Sequence, residues 1–263
     1  MLENKETIKL HELTIGYRHK ESVKEVAKGI NATLFSGELT CLIGPNGVGK
    51  STLLRTLCAF QKPLSGEIYI ENQPLSLLGD AFLSKKIGVV LTHRPLIQNM
   101  NVEELVALGR SPYTGFWGKM GKKDKEIVQD AIKLIGIENL KDRMIQTLSD
   151  GERQKVMIGK AIAQQTPIIC LDEPTAFLDF PSKIETMQLL EKLCKQAGKT
   201  IFLSTHDLEL TLCLADKIWL MQAGHITIGT PIEVAESGAL SQFVEREGIS
   251  FDKDNLRVKI SKQ

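Results

Sequence analysis

The chain has 263 residues, 42% hydrophobic and 25% charged, the balance of an ordinary globular protein able to bury a substantial core in one or two domains. Its 33 basic and 32 acidic side chains leave a net charge of +1, which offers no basic footprint for nucleic acid. Met1 to Glu6 is charged and no run approaches ~18 uninterrupted apolar residues, so neither a secretory leader nor a membrane span is expected and the chain reads as cytosolic.

Ile8 to Ile15 alternates with a period near two, and Val23 to Phe35 continues as extended chain to the turn Ser36-Gly37-Glu38, so antiparallel strands are expected first. The apolar run Leu39 to Ile43 then leads through a glycine-rich loop into a helix ending near Phe60. A turn at Pro63 to Gly66, a short strand Glu67 to Ile70 and an apolar strand Ile87 to Leu91 follow. From Asn101 to about Gln165 the periodicity is helical, in Val102 to Leu108, Lys125 to Ile135 and Gly151 to Ala163, which reads as a helical insertion at about 93–165. Strand and helix then alternate: Ile168 to Leu171, Ser182 to Gln196, Thr200 to Ser204, Leu208 to Leu214, Lys217 to Met221. That order implies a largely parallel sheet. Beyond Gly224 come a hairpin-like segment, the stretch Pro231 to Glu247 and a polar tail expected to be partly disordered, together a carboxyl-terminal extension at about 225–263. Five scattered cysteines, Cys41, Cys58, Cys170, Cys194 and Cys213, form no C-x-x-C pair and are expected to be reduced, small buried hydrophobes.

The loop Gly44-Pro45-Asn46-Gly47-Val48-Gly49-Lys50-Ser51 fits G-x-x-x-x-G-K-[ST] between a strand and a helix. Chance produces this pattern in on the order of one chain per hundred of this length, before the strand and helix context is counted. Glycines let backbone N–H groups approach phosphate oxygens, and the helix N-terminus points its partial positive charge at the same anion. Lys50 is expected on the terminal phosphates and Ser51 on Mg²⁺, which as a hard cation takes oxygen ligands. Nucleotide contacts are thus expected along Gly44, Pro45, Asn46, Gly47, Val48, Gly49, Lys50, Ser51 and Thr52.

The apolar strand Ile168 to Leu171 ends in Asp172-Glu173, at the strand edge where such sheets hold ligands. Asp172 suits the metal or its water shell, and Glu173 suits the polarisation of an attacking water. Further on, Leu148-Ser149-Asp150-Gly151-Glu152 precedes a helix, with Ser149 or Asp150 placed as its cap and Glu152 in the first turn.

That last segment resembles the L-S-G-G-Q signature of ATP-binding cassette (ABC) proteins, and it stands between phosphate loop and acidic strand as theirs does. Ser204-Thr205-His206-Asp207 resembles the family's switch histidine, Ala176-Phe177-Leu178-Asp179 the loop that joins two protomers, and Tyr17 the aromatic that stacks on adenine. These matches span Tyr17 to His206. The resemblance implies an α/β fold with a P-loop NTPase (RecA-like) core, an amino-terminal antiparallel β subdomain and an inserted helical subdomain, all in one ATPase domain over 1–263. It also implies a homodimer closing on two ATP with Mg²⁺, in which Ser149, Gly151, Glu152 and Asp179 complete the partner's site and His206 reports the γ-phosphate.

Asn101 to Tyr113, N-V-E-E-L-V-A-L-G-R-S-P-Y, is similar to the segment flanking the permease-docking groove in bacterial importers of ferric siderophores, haem and vitamin B12. This implies an energy-coupling subunit held peripherally on the inner membrane face by permease subunits, and served indirectly by a substrate-binding protein. Two departures stand out. Thr92, His93 or Gln98 falls where many relatives carry an Mg²⁺-binding glutamine, and Asp150 replaces a signature glycine and is expected to act as a cap turned from the nucleotide. Alternative readings are a soluble ABC ATPase with cytosolic partners, as in iron-sulfur assembly, and a regulatory module that closes on ATP with little hydrolysis.

Overall fold

A computed structural model describes residues 4–19, 22–91, 97–115 and 118–260. Strand β1 (Glu6–His19) outruns the expected Ile15 and pairs antiparallel with β2 (Ser22–Phe35) along its whole length, through several register shifts. Tyr17 therefore lies within the strand, opposite Lys24, rather than after it. Then come β3 (Leu39–Ile43), α1 (Lys50–Leu57), β4 (Ser65–Ile70), β5 (Gln73–Pro74), α2 (Asp80–Leu83) and β6 (Ile87–Val90). Strands β2-β1-β4-β5 form one antiparallel sheet.

Helices α3 (Val102–Ala107), α4 (Lys122–Leu134) and α5 (Asp150–Ala163) follow. Among the described residues from 97 to 165, extended pairing is confined to an isolated bridge between Asn101 and Met144. Asn101 caps α3: its side chain accepts from the Glu104 N–H at 2.8 Å while the Glu104 carboxylate accepts from the Asn101 N–H at 2.8 Å. The motif Leu108 to Tyr113 has a packing reason. A Cβ on Gly109 would stand 2.3 Å from the Lys160 carbonyl of α5, so only glycine permits this approach. The neighbouring Arg110 guanidinium is buried, donates to Asp124 at 3.0 Å and to the Ala163 carbonyl at 2.9 Å, and lies 4.1 Å from the Tyr113 ring centroid. One cation thus ties α4 to the end of α5.

The remainder is β7 (Ile168–Asp172), α6 (Phe180–Ala197), β8 (Thr200–Ser204), α7 (Leu208–Leu214), β9 (Lys217–Gln222), β10 (His225–Gly229), α8 (Pro231–Glu236), α9 (Ala239–Val244), β11 (Ile249–Asp252) and β12 (Arg257–Ile260). Six strands in the order β10-β9-β3-β8-β7-β6 make the central sheet, parallel except for the β9–β10 hairpin. The tail, expected to be partly disordered, folds instead as the antiparallel ribbon β11–β12, with Phe251 buried beside Leu240 and Ile218.

Both faces of the central sheet are covered, so its inner strands β3, β7 and β8 are mostly apolar between their ends, apart from buried Thr40, and alternate between two cores. Ile169, Leu171, Ile201 and Leu203 face the side packed with α3 to α6, whereas Ile168, Cys170 and Phe202 face α1 and the antiparallel sheet. Phe202 meets Trp219 edge to face with centroids 5.0 Å apart, a contact worth about 0.5–1.5 kcal/mol beyond area burial. Cys41, Cys58, Cys170 and Cys194 are buried free thiols as expected; Cys213, on the outer side of α7, is exposed and corrects that expectation.

Where β3 begins, Glu38 is an electrostatic cost. Its Oε1 accepts from Asn4, its Oε2 is buried with no hydrogen-bond partner among the described residues, and desolvation followed by the Asp216 charge pushes its carboxyl above the ordinary value against Lys217 and Lys195. A carboxyl that holds its proton more tightly folded than unfolded stabilises the fold most below the ordinary carboxyl range, and loses that contribution as pH rises through the raised folded value. Glu38→Gln should therefore raise the melting temperature by about 1–2 °C near pH 7, a small gain because solvent screens this half-open site, and give no gain near pH 4. Thermal melts at both pH values check this; a larger gain under acid would reverse the sign.

Candidate active site

Parallel register places the chemistry. Leu42 of β3 and Asp172 of β7 both stand opposite Ser204 of β8, so the three strands reach their carboxyl edge in one row and the chain enters the phosphate loop at Gly44, two residues after Leu42. Gly44 has φ 153° and a Cβ there would sit 2.2 Å from the Met221 carbonyl; Gly49 has φ 117° and a Cβ would meet Val26 at 2.0 Å. These two glycines are what lets the loop lie flat on the sheet edge. The turn Pro45 to Val48 closes with the Val48 N–H on the Pro45 carbonyl at 3.4 Å, leaving Asn46 and Gly47 at its apex. Helix α1 follows Gly49 with no side-chain cap and no acidic residue in its first turn, whereas α3, α5 and α8 have both and α6 has a side-chain cap. Its N-terminal dipole is left uncompensated by its own side chains.

Lys50 is buried, and its Nζ donates to the carbonyls of Gly44 at 2.8 Å and Pro45 at 3.1 Å, curling the ammonium into the loop. Burial pulls its pKa down while Glu173 and Asp172 oppose that pull. Ser51 Oγ donates to Asp172 Oδ1 at 3.2 Å, and Ser204 Oγ donates to the same oxygen at 2.6 Å. Ser204 also accepts from the Glu173 N–H, through Oγ at 3.0 Å and through its carbonyl at 3.1 Å. Glu173 adopts φ 50°, a left-handed conformation that costs a non-glycine residue roughly 1–2 kcal/mol and turns its side chain off the strand direction. Its Oε1 lies 2.5 Å from His206 Nε2. The neighbouring Asp207 accepts from Thr175 Oγ1 at 3.0 Å and Lys183 at 3.1 Å, fastening the histidine loop to the segment after Glu173 and to α6.

Lys50, Ser51, Asp172, Glu173 and His206 are therefore one connected set, and Thr52 joins Tyr17 to it through a 2.7 Å hydroxyl contact. Ser204, Thr175, Lys183 and Asp207 were not expected as site residues. The motif Ser204-Thr205-His206-Asp207 contained two of them, but only cross-strand pairing reveals what Ser204 touches.

Ser149, Gly151, Glu152 and Asp179 form a second set. They line one groove of about 360 Å³ with Asp150, Lys155, Phe177, Leu178 and Ser182. Ser149 is the cap of α5: its N–H donates to Glu152 Oε2 at 2.8 Å and its Oγ accepts from the Glu152 N–H at 3.3 Å. This corrects the expected capping by Asp150, which occupies the first helical position and approaches Arg153 at 4.0 Å. The physical reason is spacing, because only Ser149 stands three residues before a glutamate that can reciprocate. The same box commits the Ser149 amide to Glu152, whose carboxyl is held below its ordinary value chiefly by that bond. Asp179 caps α6 by accepting from the Ser182 N–H at 3.2 Å, and the Ser182 hydroxyl first, then this amide, hold its carboxyl below the ordinary value. Buried Leu178 packs over Gly151, holding the two motifs of the groove together. Thr92 and His93 lie outside the described residues; Gln98 is exposed.

The sequence model of the ABC transporter family matches residues 27–176. An uncharacterized ABC transporter ATP-binding protein of Methanocaldococcus jannaschii is 37% identical over 94% of this chain and 84% of its own length. The ferric enterobactin transport ATP-binding protein of Escherichia coli K12 is 33% identical over 89% of this chain and 85% of its own length. A dimeric ATP-binding cassette solved in a post-hydrolysis state with ADP and Pi superposes with a TM-score of 0.76 at 31% identity, over 85% of this chain and 98% of that one. Fold, motif order and similarity over nearly the whole length agree: the chain belongs to the ABC transporter family, with the P-loop α/β fold of its ATP-binding, ATP-hydrolysing subunits.

Proposed function

We propose that the chain is the energy-coupling subunit of an importer for iron chelates, ferric siderophore or haem, or for vitamin B12, and that two copies close on two ATP. The observation carrying the hydrolytic part is the connected set Lys50, Ser51, Asp172, Glu173 and His206 at the edge of three parallel strands. Loop amides from Gly44 to Thr52 and the uncapped N-terminus of α1 receive the phosphates, with Lys50 exchanging loop carbonyls for phosphate oxygens. Glu173 takes a proton from the water that attacks the γ-phosphorus, ADP leaves in line, and His206 senses the γ-phosphate and its loss.

The donor set fits Mg²⁺. Ser51 and Asp172 offer two hard oxygens within 3.2 Å of each other, and among the described residues no cluster of three or more His, Cys, Asp or Glu makes an all-protein cage. Such a site suits a cation that keeps water and phosphate oxygens in its shell. When bound, the metal would neutralise charge on the β and γ phosphates.

Homodimerisation follows from having one phosphate loop and one Ser149-Gly151-Asp179 groove that are separate sets on the same chain. The groove of one copy completes the loop of the other, and the related cassette with ADP and Pi is itself dimeric. The importer reading draws on the ferric enterobactin relative and on the packed Asn101 to Tyr113 segment, which we place at the permease contact. In this reading residues 93–165 are an inserted helical subdomain and 225–263 an extension of a single ATPase domain. The chain sits on the inner membrane face through permease subunits and meets the substrate-binding protein only through them; no described helix is long and apolar enough to cross a membrane by itself.

Three measurements test these roles. Glu173→Gln should lower ATP turnover by about 10²–10⁴-fold, the usual contribution of a general base, while ATP still drives dimer formation in gel filtration; wild-type turnover would remove Glu173 from the mechanism. Asp150→Gly should change KM for ATP and kcat by less than about tenfold, because one exposed first-turn carboxylate contributes about 0.3–1 kcal/mol; a larger gain would make Asp150 a brake on the site. The full chain should co-purify with a polytopic permease and support ATP-dependent uptake of a ferric chelate or cobalamin in proteoliposomes, whereas partners confined to the soluble fraction would favour the alternative ATPase.

A further inference from the structure

The aromatic residue near the end of β1 makes a polar contact that stacking on a base does not require. Tyr17 Oη lies 2.7 Å from Thr52 Oγ1, and Thr52 is buried in the first turn of α1, two residues beyond Lys50. Tyr17 is 40% exposed and lines a groove of about 490 Å³ with Gly16, Arg18, Gln61, Lys62 and Pro63. The surrounding corner is fastened independently. Gln61 Nε2 donates to the Gly16 carbonyl, the Leu64 N–H donates to the Thr14 carbonyl at 2.8 Å, and Gly16 has no room for a side chain because a Cβ would stand 2.1 Å from the Lys24 carbonyl. The Gln61 side chain and the Leu64 amide thus already hold β1 to the chain after α1. The hydroxyl pair adds something else: it fixes the direction of one half-exposed ring relative to the helix turn that follows the phosphate loop.

We propose that the hydroxyl bond between Tyr17 and Thr52 is a positioning contact for nucleotide recognition. It presets the ring for the base and registers it against the turn bearing Lys50, Ser51 and Thr52, so that base and phosphates meet one rigid unit. This rests on the reading that Tyr17 faces the base and the loop holds the phosphates. Preorganisation of this kind lowers the ordering cost of binding without adding a contact to the ligand. It favours a complete nucleoside triphosphate over the phosphate chain alone, because only the base uses the ring.

The test compares full-length wild type with Tyr17→Phe, Thr52→Ser, Thr52→Val and Tyr17→Ala, reading kcat and KM for ATP together with the inhibition constant of inorganic tripolyphosphate, which lacks a base. Tyr17→Phe keeps the ring and should raise KM for ATP by about three- to tenfold, the range set by the net worth of one hydrogen bond, with kcat within about twofold and tripolyphosphate inhibition unchanged. Thr52→Ser retains the hydroxyl and should raise KM less than Thr52→Val, which should lose at least as much as Tyr17→Phe. If Thr52→Val does not fold, Tyr17→Phe, which removes a single oxygen atom, decides the question. An unchanged or lowered KM for Tyr17→Phe, or tripolyphosphate inhibition weakening in step with ATP, overturns the positioning role. Tyr17→Ala separates the two levels: if it weakens ATP while Tyr17→Phe does not, positioning alone fails, and if neither does, the base-contact reading fails with it.

Discussion

The parallel register of β3, β8 and β7 is the constraint on which the site depends. A sheet buried on both faces leaves few polar positions along its strands, so the charged and hydroxyl groups of the site gather where the strands end. Ser204 stands opposite both Leu42 and Asp172, which fixes how far the phosphate loop, the acidic pair and the histidine loop lie from one another. A slip of one residue in β7 would exchange the rows Ile168-Cys170 and Ile169-Leu171 between two cores. The hydrophobic pattern that specifies the fold therefore also sets the distance between Ser51 and Asp172.

At that edge, every buried polar group must be answered, and the answers couple the residues. Asp172 Oδ1 accepts from two hydroxyls, Ser51 and Ser204, and Ser204 in turn holds the amide of Glu173. The left-handed turn at Glu173 persists because these bonds outweigh its conformational cost, and it is what carries the carboxylate to His206. A change at Ser204 would thus reach the Asp172 and Glu173 carboxylates together, the two proposed as metal ligand and base, although Ser204 itself is proposed for neither role.

Much of this was legible in the sequence because the informative signals are local. G-x-x-x-x-G-K-S, an apolar run ending in Asp-Glu, and Ser-Thr-His-Asp after another apolar run each fix residues within a few positions of a strand end. What escaped needed either a broken period or a long-range contact. Alternation in β1 loses phase at the irregularities between Leu10 and Ile15, so the strand reads as ending there although it continues past Tyr17 to His19. Ser204 and Thr175 act through partners about thirty residues away, which no local pattern encodes. The cap of α5 lay between two candidates, Ser149 and Asp150, and the reciprocal spacing Ser149-x-x-Glu152 decides for Ser149. The β11–β12 ribbon is anchored by Phe251 against elements that precede it in sequence, a signal too sparse to separate from a polar tail.

The two helix N-termini of the site are built for different tasks. Helix α1 begins at a glycine with no cap and no acid in its first turn, so its amides and dipole are free to act on an anion. Helix α5 begins with a closed capping box and two first-turn acids, Asp150 and Glu152, so part of its dipole is answered internally and the Ser149 amide is already committed. At about 0.3–1 kcal/mol per first-turn carboxylate, the signature end attracts phosphate distinctly less than the loop end. In a dimer sharing its nucleotides, affinity would then reside mainly in the phosphate loop, and the signature groove would add the smaller increment that distinguishes closed from open. Such a division would let the loop retain nucleotide while the copies separate, whereas two equally strong ends would hold the copies together.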